Sequence, residues 1–158
     1  MDYKKDRLYI AYGSNLNLEQ MGRRCPTAKV IGTALLRGYR LRFRGSSFSA
    51  VATVEKAKGH KVPVLVWKLQ PEDERALDRY EGWPHLYRKE TLRITINGKR
   101  SSAMIYIMNE PGNPYGTPSN HYLNTILEGY KTAGFDTTPL IEAASTPVKE
   151  DMTNDGYY

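Results

Sequence analysis

The sequence predicts one α+β domain in which a mostly antiparallel sheet or barrel carries a few flanking helices. Three observations lead to this class: apolar stretches of strand length, one strong hairpin signal, and helical patterns bounded by capping residues. The length of 158 residues corresponds to a single domain. We place that domain at residues 1–144 and expect residues 145–158, which are polar, to form a frayed C-terminal tail.

The first unit of the chain is predicted to be a strand, a glycine-containing loop and a short helix. The apolar run of residues 8–12 stops at residues 13–15 (Gly-Ser-Asn), which indicates a buried strand that enters a tight turn. Asn17 and Gln20 have the spacing of a capping box. We therefore expect a helix that runs from there to about Arg24.

Residues 29–69 change to the patterns of strands. Residues 39–44 alternate strictly, with aromatic and aliphatic side chains on one face and three arginines on the other. Residues 48–54 alternate more loosely. Residues 62–69 are apolar nearly throughout, which is typical of a central strand, and Pro63 is then expected at the start of that strand.

The middle of the chain predicts a helix and a hairpin. Pro71 followed by three acidic residues marks a helix N-terminus, and Gly82 is well placed to end that helix. Two strands, residues 87–96 and 101–108, come next. The Asn-Gly pair between them, residues 97 and 98, is among the strongest short hairpin signals.

The last part of the chain predicts a loop and two helices. Residues 109–118 are rich in proline, glycine and asparagine and are expected to form a surface loop. Ser119 is predicted to cap a helix that ends at Gly134, and Thr138 with the proline after it begins a last short helix.

The composition excludes several classes of protein. Hydrophobic residues make up 40% and charged residues 25%, as in a folded globular protein. No apolar run reaches the roughly 18–20 residues that span a bilayer, and the first residues lack the apolar stretch of a signal peptide. We therefore expect a cytoplasmic protein without a membrane partner. One cysteine and three scattered histidines offer neither a disulfide framework nor the spacing of a metal site.

The net charge of +6 admits anionic partners without identifying one. Arg40, Arg42 and Arg44, with Arg37 upstream, could line a nucleic-acid track. Such a track interleaves basic and aromatic residues on one face, whereas here the aromatic residues point away from the arginines. We interpret the arginines as a solvated strand face and expect no nucleic-acid partner.

Two positions could carry chemistry. The backbone N–H groups of the loop at residues 12–16 could bind a carboxylate or phosphate, or the loop could be an ordinary tight turn. Glu81 stands at the C-terminal end of the predicted helix, where the helix dipole and desolvation by nearby aromatic residues would raise the pKa of its carboxyl. A carboxyl of that kind suits acid–base catalysis; the alternative is a solvated glutamate at a helix end.

Four segments, taken in order, match the signature of a known superfamily. Residues 9–16 read Tyr-Ile-Ala-Tyr-Gly-Ser-Asn-Leu, and residues 64–67 read Val-Leu-Val-Trp. Residues 77–82 read Leu-Asp-Arg-Tyr-Glu-Gly, and residues 118–122 read Pro-Ser-Asn-His-Tyr. Together these segments resemble the γ-glutamyl cyclotransferase-like superfamily. The second departs from the pattern, because Pro63 and Val64 replace the usual glycine–valine step.

The resemblance implies a fold, a site and a reaction. The fold would be a small mixed β-barrel with flanking helices. Glu81 would be the catalytic acid and base. The substrate would be bound by seven further residues: Tyr12, Gly13, Ser14, Asn15, Leu16, Tyr87 and Tyr122. The substrate would be a small γ-glutamyl compound whose α-amine attacks its own γ-carbonyl, and the reaction would need neither a metal nor a cofactor.

The resemblance leaves some points open. The loop sequence looks more like the branch that acts on γ-glutamyl amino acids or acyl groups than the γ-glutamylamine branch, which usually carries threonine and leucine after the glycine. The leaving amine and the oligomeric state do not follow from the sequence. A binding protein that keeps the pocket for an anionic metabolite, without turning it over, is the alternative.

Overall fold

The computed structural model describes residues 6–145, so the predicted tail lies outside the described residues from residue 146 onward. This part of the chain contains five strands: β1 (Arg7–Ala11), β2 (Lys29–Arg44), β3 (Val51–Leu69), β4 (Tyr87–Ile96) and β5 (Lys99–Met108). The same residues contain four helices: α1 (Leu18–Arg24), α2 (Pro71–Tyr80), α3 (Asn120–Ala133) and α4 (residues 138–145). A 3-10 turn at Ser14–Leu16 separates β1 from α1. None of the helices within residues 6–145 is long and apolar enough to cross a membrane.

The strands form one sheet in the order β2-β3-β1-β5-β4. Strand β1 pairs antiparallel with β3 and parallel with β5, and the remaining pairs are antiparallel. The prediction of a mixed, mostly antiparallel α+β fold is therefore confirmed. The barrel is open: within residues 6–145, β2 and β4 are the sheet edges and no ladder joins them. In place of a ladder, the side chain of Asn97, which follows β4, donates a hydrogen bond of 3.4 Å to the carbonyl of Ile31 in β2.

The local signals for helices and turns are confirmed. The side chain of Asn17 accepts a hydrogen bond from the backbone N–H of Gln20 at the start of α1. Helix α2 begins at Pro71, as predicted, and α3 lies between its cap Ser119 and a left-handed Gly134. Both residues of the Asn-Gly turn have positive φ, 52° and 76°, as a tight two-residue hairpin requires.

Strand β3 differs from the prediction. The sequence suggested two strands, with Pro63 at the start of the second, but the structure has a single strand of 19 residues in which Pro63 lies opposite Leu35 of β2. Proline is tolerated in a sheet where its missing N–H faces no partner. On the other side of β3, strand β1 ends at Ala11, opposite Leu65, and so stops short of Pro63.

The arginine face of β2 is solvated only in part: Arg37 is exposed, but Arg40 and Arg44 are half-buried and Arg42 is buried. The side chains of Arg42 and Arg44 pair with Glu55 of β3. The Nη2 atom of Arg44 lies 2.6 Å from Oε2 of Glu55, and Nε of Arg42 lies 3.6 Å from Oε1. Both guanidinium groups also stack on the ring of Tyr115 in the loop before α3. These contacts could not be predicted from the sequence of β2, because Glu55 and Tyr115 belong to two other segments of the chain.

Helix α2 is joined to the sheet by a buried cluster of charges. Glu74 and Asp78 lie four residues apart, so both carboxylates project from one face of the helix. The Nζ atom of Lys89, on β4, lies 2.6 Å from Oε2 of Glu74 and 2.8 Å from Oδ1 of Asp78. Arg7 of β1 also pairs with Glu74, and the hydroxyl of Tyr106 donates to Asp78. The cluster therefore fixes the position of α2, and Glu81 lies directly after the C-terminal end of this helix.

We expect Lys89→Met to lower the free energy of unfolding by about 3 kcal/mol, because it leaves two buried carboxylates short of a cation. Lys68→Met is the matched control. Lys68 is half-exposed and lies 3.8 Å from a half-exposed Asp6, so its loss should cost less than about 1 kcal/mol. Denaturant unfolding measures both. Equal effects of the two changes would contradict the importance given to the buried cluster.

Candidate active site

A cavity of about 280 Å³ opens beside the loop that follows β1. Parts of the chain that lie far apart in sequence meet around it: the end of β1, the start of β3, the end of α2, the start of β4 and the start of α3. Its lining consists of Tyr9, Tyr12, Gly13, Ser14, Asn15, Val51, Ala52, Tyr80, Glu81, Leu86, Tyr87 and Tyr122. Seven of the eight predicted site residues are in this set, and the structure thus brings together what the sequence places up to 110 positions apart.

Glu81 supplies the acidic group of the cavity. It follows the last residue of α2 directly, and its backbone N–H donates to the carbonyl of Leu77, 2.8 Å away. Burial raises the pKa of its carboxyl from 4.5 to about 7, and the positive charge of Arg24 partly opposes that rise. A carboxyl with a pKa near neutrality can both accept and return a proton at physiological pH.

The loop after β1 approaches β3 very closely at Gly13. A Cβ atom on Gly13 would lie 3.1 Å from the Cβ of Ala52, so a larger side chain there would push the loop away from the strand. The 3-10 turn begins at the next residue and is closed by a 3.0 Å hydrogen bond from the N–H of Leu16 to the carbonyl of Gly13. The amides of Ser14 and Asn15 open this turn and have no partner within it.

Asn15 is held from three directions. Its Nδ2 donates to the hydroxyl of Tyr9 (2.8 Å), its Oδ1 accepts from Arg24, and its backbone carbonyl accepts from Nε1 of Trp67 (3.1 Å). The indole of Trp67 thus explains why a tryptophan belongs in the second matching segment: it fixes the loop from the neighbouring strand. The side chain of Asn15 acts mainly to hold the loop in shape.

Leu16 does not line the cavity. Its side chain is 1% exposed and packs beneath α3. A Cβ atom on Gly129 of α3 would come within 2.7 Å of the backbone and side chain of Leu16, so only glycine permits this approach. Leu16 therefore supports the loop from below, and of the predicted substrate-binding residues it is the one outside the described lining of the cavity.

The hydroxyls of the cavity tyrosines have different partners. Tyr87 donates to the carbonyl of Ala52 (2.5 Å) and Tyr12 donates to the carbonyl of Tyr106 (2.6 Å). Tyr122 instead accepts from the N–H of Ala52 (3.0 Å) and so keeps its own proton for another acceptor. Burial raises the pKa of all three phenols, which keeps them protonated at neutral pH. Tyr122 can therefore donate to a ligand, whereas Tyr87 mainly shapes the wall.

The sequence missed five residues of the lining: Tyr9, Val51, Ala52, Tyr80 and Leu86. Tyr80 could have been found, because it precedes Glu81 in an aromatic neighbourhood, and its hydroxyl lies 2.9 Å from Oγ of Ser14. The sequence pattern predicted Tyr9 only as a residue of the buried strand β1. Small apolar residues such as Val51 and Ala52 carry no chemical signal, and only the fold shows that they face the cavity.

The fold forms a cavity of small-molecule size that holds a carboxyl with a pKa near neutrality. The family model described as "Gamma-glutamyl cyclotransferase, AIG2-like" matches residues 9–125. The gamma-glutamylcyclotransferases of Homo sapiens and Mus musculus are each 31% identical over 137 residues, which is 80% of this chain and 71% of theirs. A solved structure named "Gamma-glutamyl cyclotransferase" superposes with a TM-score of 0.77 at 26% identity and covers 88% of this chain and 86% of its own.

The chain therefore belongs to the γ-glutamyl cyclotransferase, AIG2-like family, and it is a cyclotransferase-like enzyme. The fold extends to more distant relatives. A yeast structure titled as a cyclotransferase specific to glutathione has a TM-score of 0.59 at 12% identity, which is a likeness of fold alone.

We expect Gly129→Ala to destabilise the protein by about 1–3 kcal/mol, since α3 must move away from Leu16 to admit the methyl group. Gly22→Ala is the matched control. Gly22 also lies inside a helix, α1, but a Cβ atom there would meet nothing within 4 Å. That change should stabilise by about 0.5–1 kcal/mol. Thermal and denaturant unfolding measure both, and a neutral Gly129→Ala would contradict the close approach.

The raised pKa of Glu81 also makes stability depend on pH. The carboxyl holds its proton more tightly in the folded than in the unfolded protein, so stability falls as pH rises from 4.5 to about 7. The loss amounts to about 3 kcal/mol when complete. The glutamine of Glu81→Gln cannot ionise. The free energy of unfolding of this variant should therefore rise relative to that of the wild type as pH increases from about 5 to about 8. A constant difference across this range would show that Glu81 titrates normally.

Proposed function

We propose that this protein is a γ-glutamyl cyclotransferase that releases 5-oxoproline and an amine from a small γ-glutamyl compound. The observation that carries the proposal is the position of Glu81. Among the described residues that line the cavity, it is the one with a carboxylic acid side chain, and its pKa is about 7. The names of the relatives agree with this reaction but do not specify this chain's substrate.

The proposed reaction balances with one carboxyl group. The α-amine of the γ-glutamyl group attacks the γ-carbonyl carbon and forms the new C–N bond of the five-membered ring, and Glu81 takes the proton that the amine loses. The C–N bond to the leaving amine then breaks, and Glu81 returns the proton to the departing nitrogen. Acid–base catalysis of this kind typically contributes about 10²–10⁴-fold to the rate.

The rest of the cavity would supply position and charge stabilisation. The amides of Ser14 and Asn15 and the hydroxyl of Tyr122 are donors at the cavity wall, and such donors hold a carboxylate or a developing oxyanion. Tyr12 and Tyr87 would confine the substrate, because their hydroxyls are bonded to backbone carbonyls. Holding the amine against the carbonyl contributes further, since the folded conformer is rare in a free γ-glutamyl chain.

Glu81→Gln should keep the fold and lower 5-oxoproline release by at least about 100-fold, because the amide can neither accept nor return the proton. The assay measures 5-oxoproline from γ-glutamyl dipeptides, glutathione and γ-glutamylamines. Glu72→Gln is the matched control, since it makes the same chemical change at an exposed position of the same helix and should leave the rate unchanged.

The panel also decides between the enzyme and a binding protein. Release from one class of substrate by the wild type, lost in Glu81→Gln, would support the proposal and identify the leaving group. Near-normal release by Glu81→Gln would remove the mechanism. A wild type that binds 5-oxoproline in calorimetry but releases none from any member would favour a protein that only binds γ-glutamyl metabolites.

A further inference from the structure

Arg24 lies directly behind the wall of the cavity. It is the last residue of α1, it is half-buried, and it is absent from the cavity lining. Its guanidinium carbon sits 3.4 Å from the centre of the Tyr80 ring, and its Nη2 donates to Oε1 of Gln20 (3.4 Å). Its Nη1 donates to Oδ1 of Asn15. The side chain therefore contacts two lining residues from outside.

This contact fixes which way the Asn15 amide faces. A guanidinium group has only donors, so the atom of Asn15 that it meets has to be the carbonyl oxygen. The amide nitrogen then faces the hydroxyl of Tyr9, 2.8 Å away, and donates to it. If Arg24 were lost, the amide could turn over and present its oxygen to Tyr9 instead.

The orientation of Asn15 decides the direction of the Tyr9 proton. A phenol has a single proton, and because the Tyr9 oxygen accepts from Asn15, that proton remains available to a second group. Tyr9 is 4% exposed, and the space beside it is the cavity. Tyr12 differs, since its proton is committed to the carbonyl of Tyr106. Tyr9 is thus a buried residue of the lining whose hydroxyl can still donate, as that of Tyr122 can.

We propose that Arg24 is a positioning residue: through Asn15 it directs the hydroxyl proton of Tyr9 into the cavity, where Tyr9 donates to the γ-carbonyl oxygen of the bound substrate. This inference rests on the proposed cyclotransferase function. In that reaction the γ-carbonyl oxygen gains negative charge as the amine attacks, and a preorganised donor stabilises that charge. Glu81, which acts on the reacting nitrogens, is near Tyr9: the pKa of that phenol is raised first by burial and then by the charge of Glu81.

Arg24 also acts on Glu81 through its charge. The ionisable groups that face Glu81 come from several elements and are Tyr9, Tyr12, Arg24, Tyr87, Tyr106 and Tyr122. The phenols are kept neutral by burial, so Arg24 is the cation of this set, and it partly opposes the rise that burial causes in the pKa of the Glu81 carboxyl. Removal of Arg24 should therefore shift the acid limb of the rate profile to higher pH.

The test compares Arg24→Met, Tyr9→Phe and the double variant with the wild type. Tyr9→Phe should lower kcat about 100-fold with little change in KM, because the donor serves the transition state. Arg24→Met should lower kcat at least about 10-fold and shift the acid limb upward. Above the acid limb, where Glu81 is ionised in every variant, both residues act through one hydroxyl, so the double variant should there be no slower than Tyr9→Phe alone. Arg23→Met, at the neighbouring and exposed arginine, is the control and should behave as wild type.

Two results would overturn the inference. The first is multiplicative losses in the double variant with an unmoved acid limb, which would mean that Arg24 only stabilises the fold. The second is a Tyr9→Phe variant with normal kcat. Arg24→Lys keeps the charge without the stacked, two-pronged guanidinium, so it should restore the acid limb while recovering only part of kcat. This variant keeps the test open if Arg24→Met unfolds.

Failure of the proposed function can be told apart from failure of this inference. If the wild type releases no 5-oxoproline, the cyclotransferase proposal fails, and the role of Arg24 is then measured without turnover. Carboxyl ¹³C NMR follows the titration of Glu81, assigned by its loss in Glu81→Gln, and calorimetry follows the binding of 5-oxoproline. An upward shift of the titration in Arg24→Met, with equal loss of binding in Arg24→Met and Tyr9→Phe, supports the inference. Undiminished binding of 5-oxoproline by either variant refutes it.

Discussion

The placement of β1 between β3 and β5 is the constraint on which the site depends. A strand that is hydrogen-bonded on both sides has little freedom, so the loop that leaves its end starts from a fixed point. Gly13 then allows that loop to lie against β3, and Gly129 allows α3 to lie against Leu16. These two glycines, on distant segments, therefore determine the position of the loop amides because neither has a side chain.

Helix α2 shows how one element can hold carboxyl groups in opposite environments. Glu74 and Asp78 are buried and bonded to cations, and their function is to attach the helix to the sheet. Glu81, one turn further on, is half-buried at the cavity and forms no ion pair within residues 6–145, so burial dominates the pKa of its carboxyl. The difference in environment, and not in residue type, separates structural carboxylates from the one suited to acid–base work.

Much of the fold was predictable because it is encoded locally. The caps Asn17 and Ser119, the proline start of α2 and the Asn-Gly hairpin each act over a few residues, and each is where the sequence placed it. Glu81 was found from its place at a helix end together with the family resemblance. Its neighbours Tyr12 and Tyr122 required the resemblance as well, since a tyrosine has no local pattern that marks a binding site.

What could not be predicted depends on pairs of distant segments. The continuity of β3 through Pro63 depends on where β1 ends, and the burial of Arg42 depends on a glutamate of the next strand and a tyrosine of a distant loop. Leu16 belongs to a matching segment, yet it faces α3. The position of Tyr9 in the cavity wall emerges only when the fold brings Glu81 opposite it.

The double contact at Ala52 has a consequence beyond the site. Tyr87 and Tyr122 together bond the N–H and the carbonyl of Ala52, a buried residue of β3. A buried backbone group that is left without a partner costs about 1–3 kcal/mol. The two phenols that shape the cavity thus also stabilise the backbone of the strand. Efforts to reshape the cavity at these tyrosines would therefore have to weigh stability against specificity.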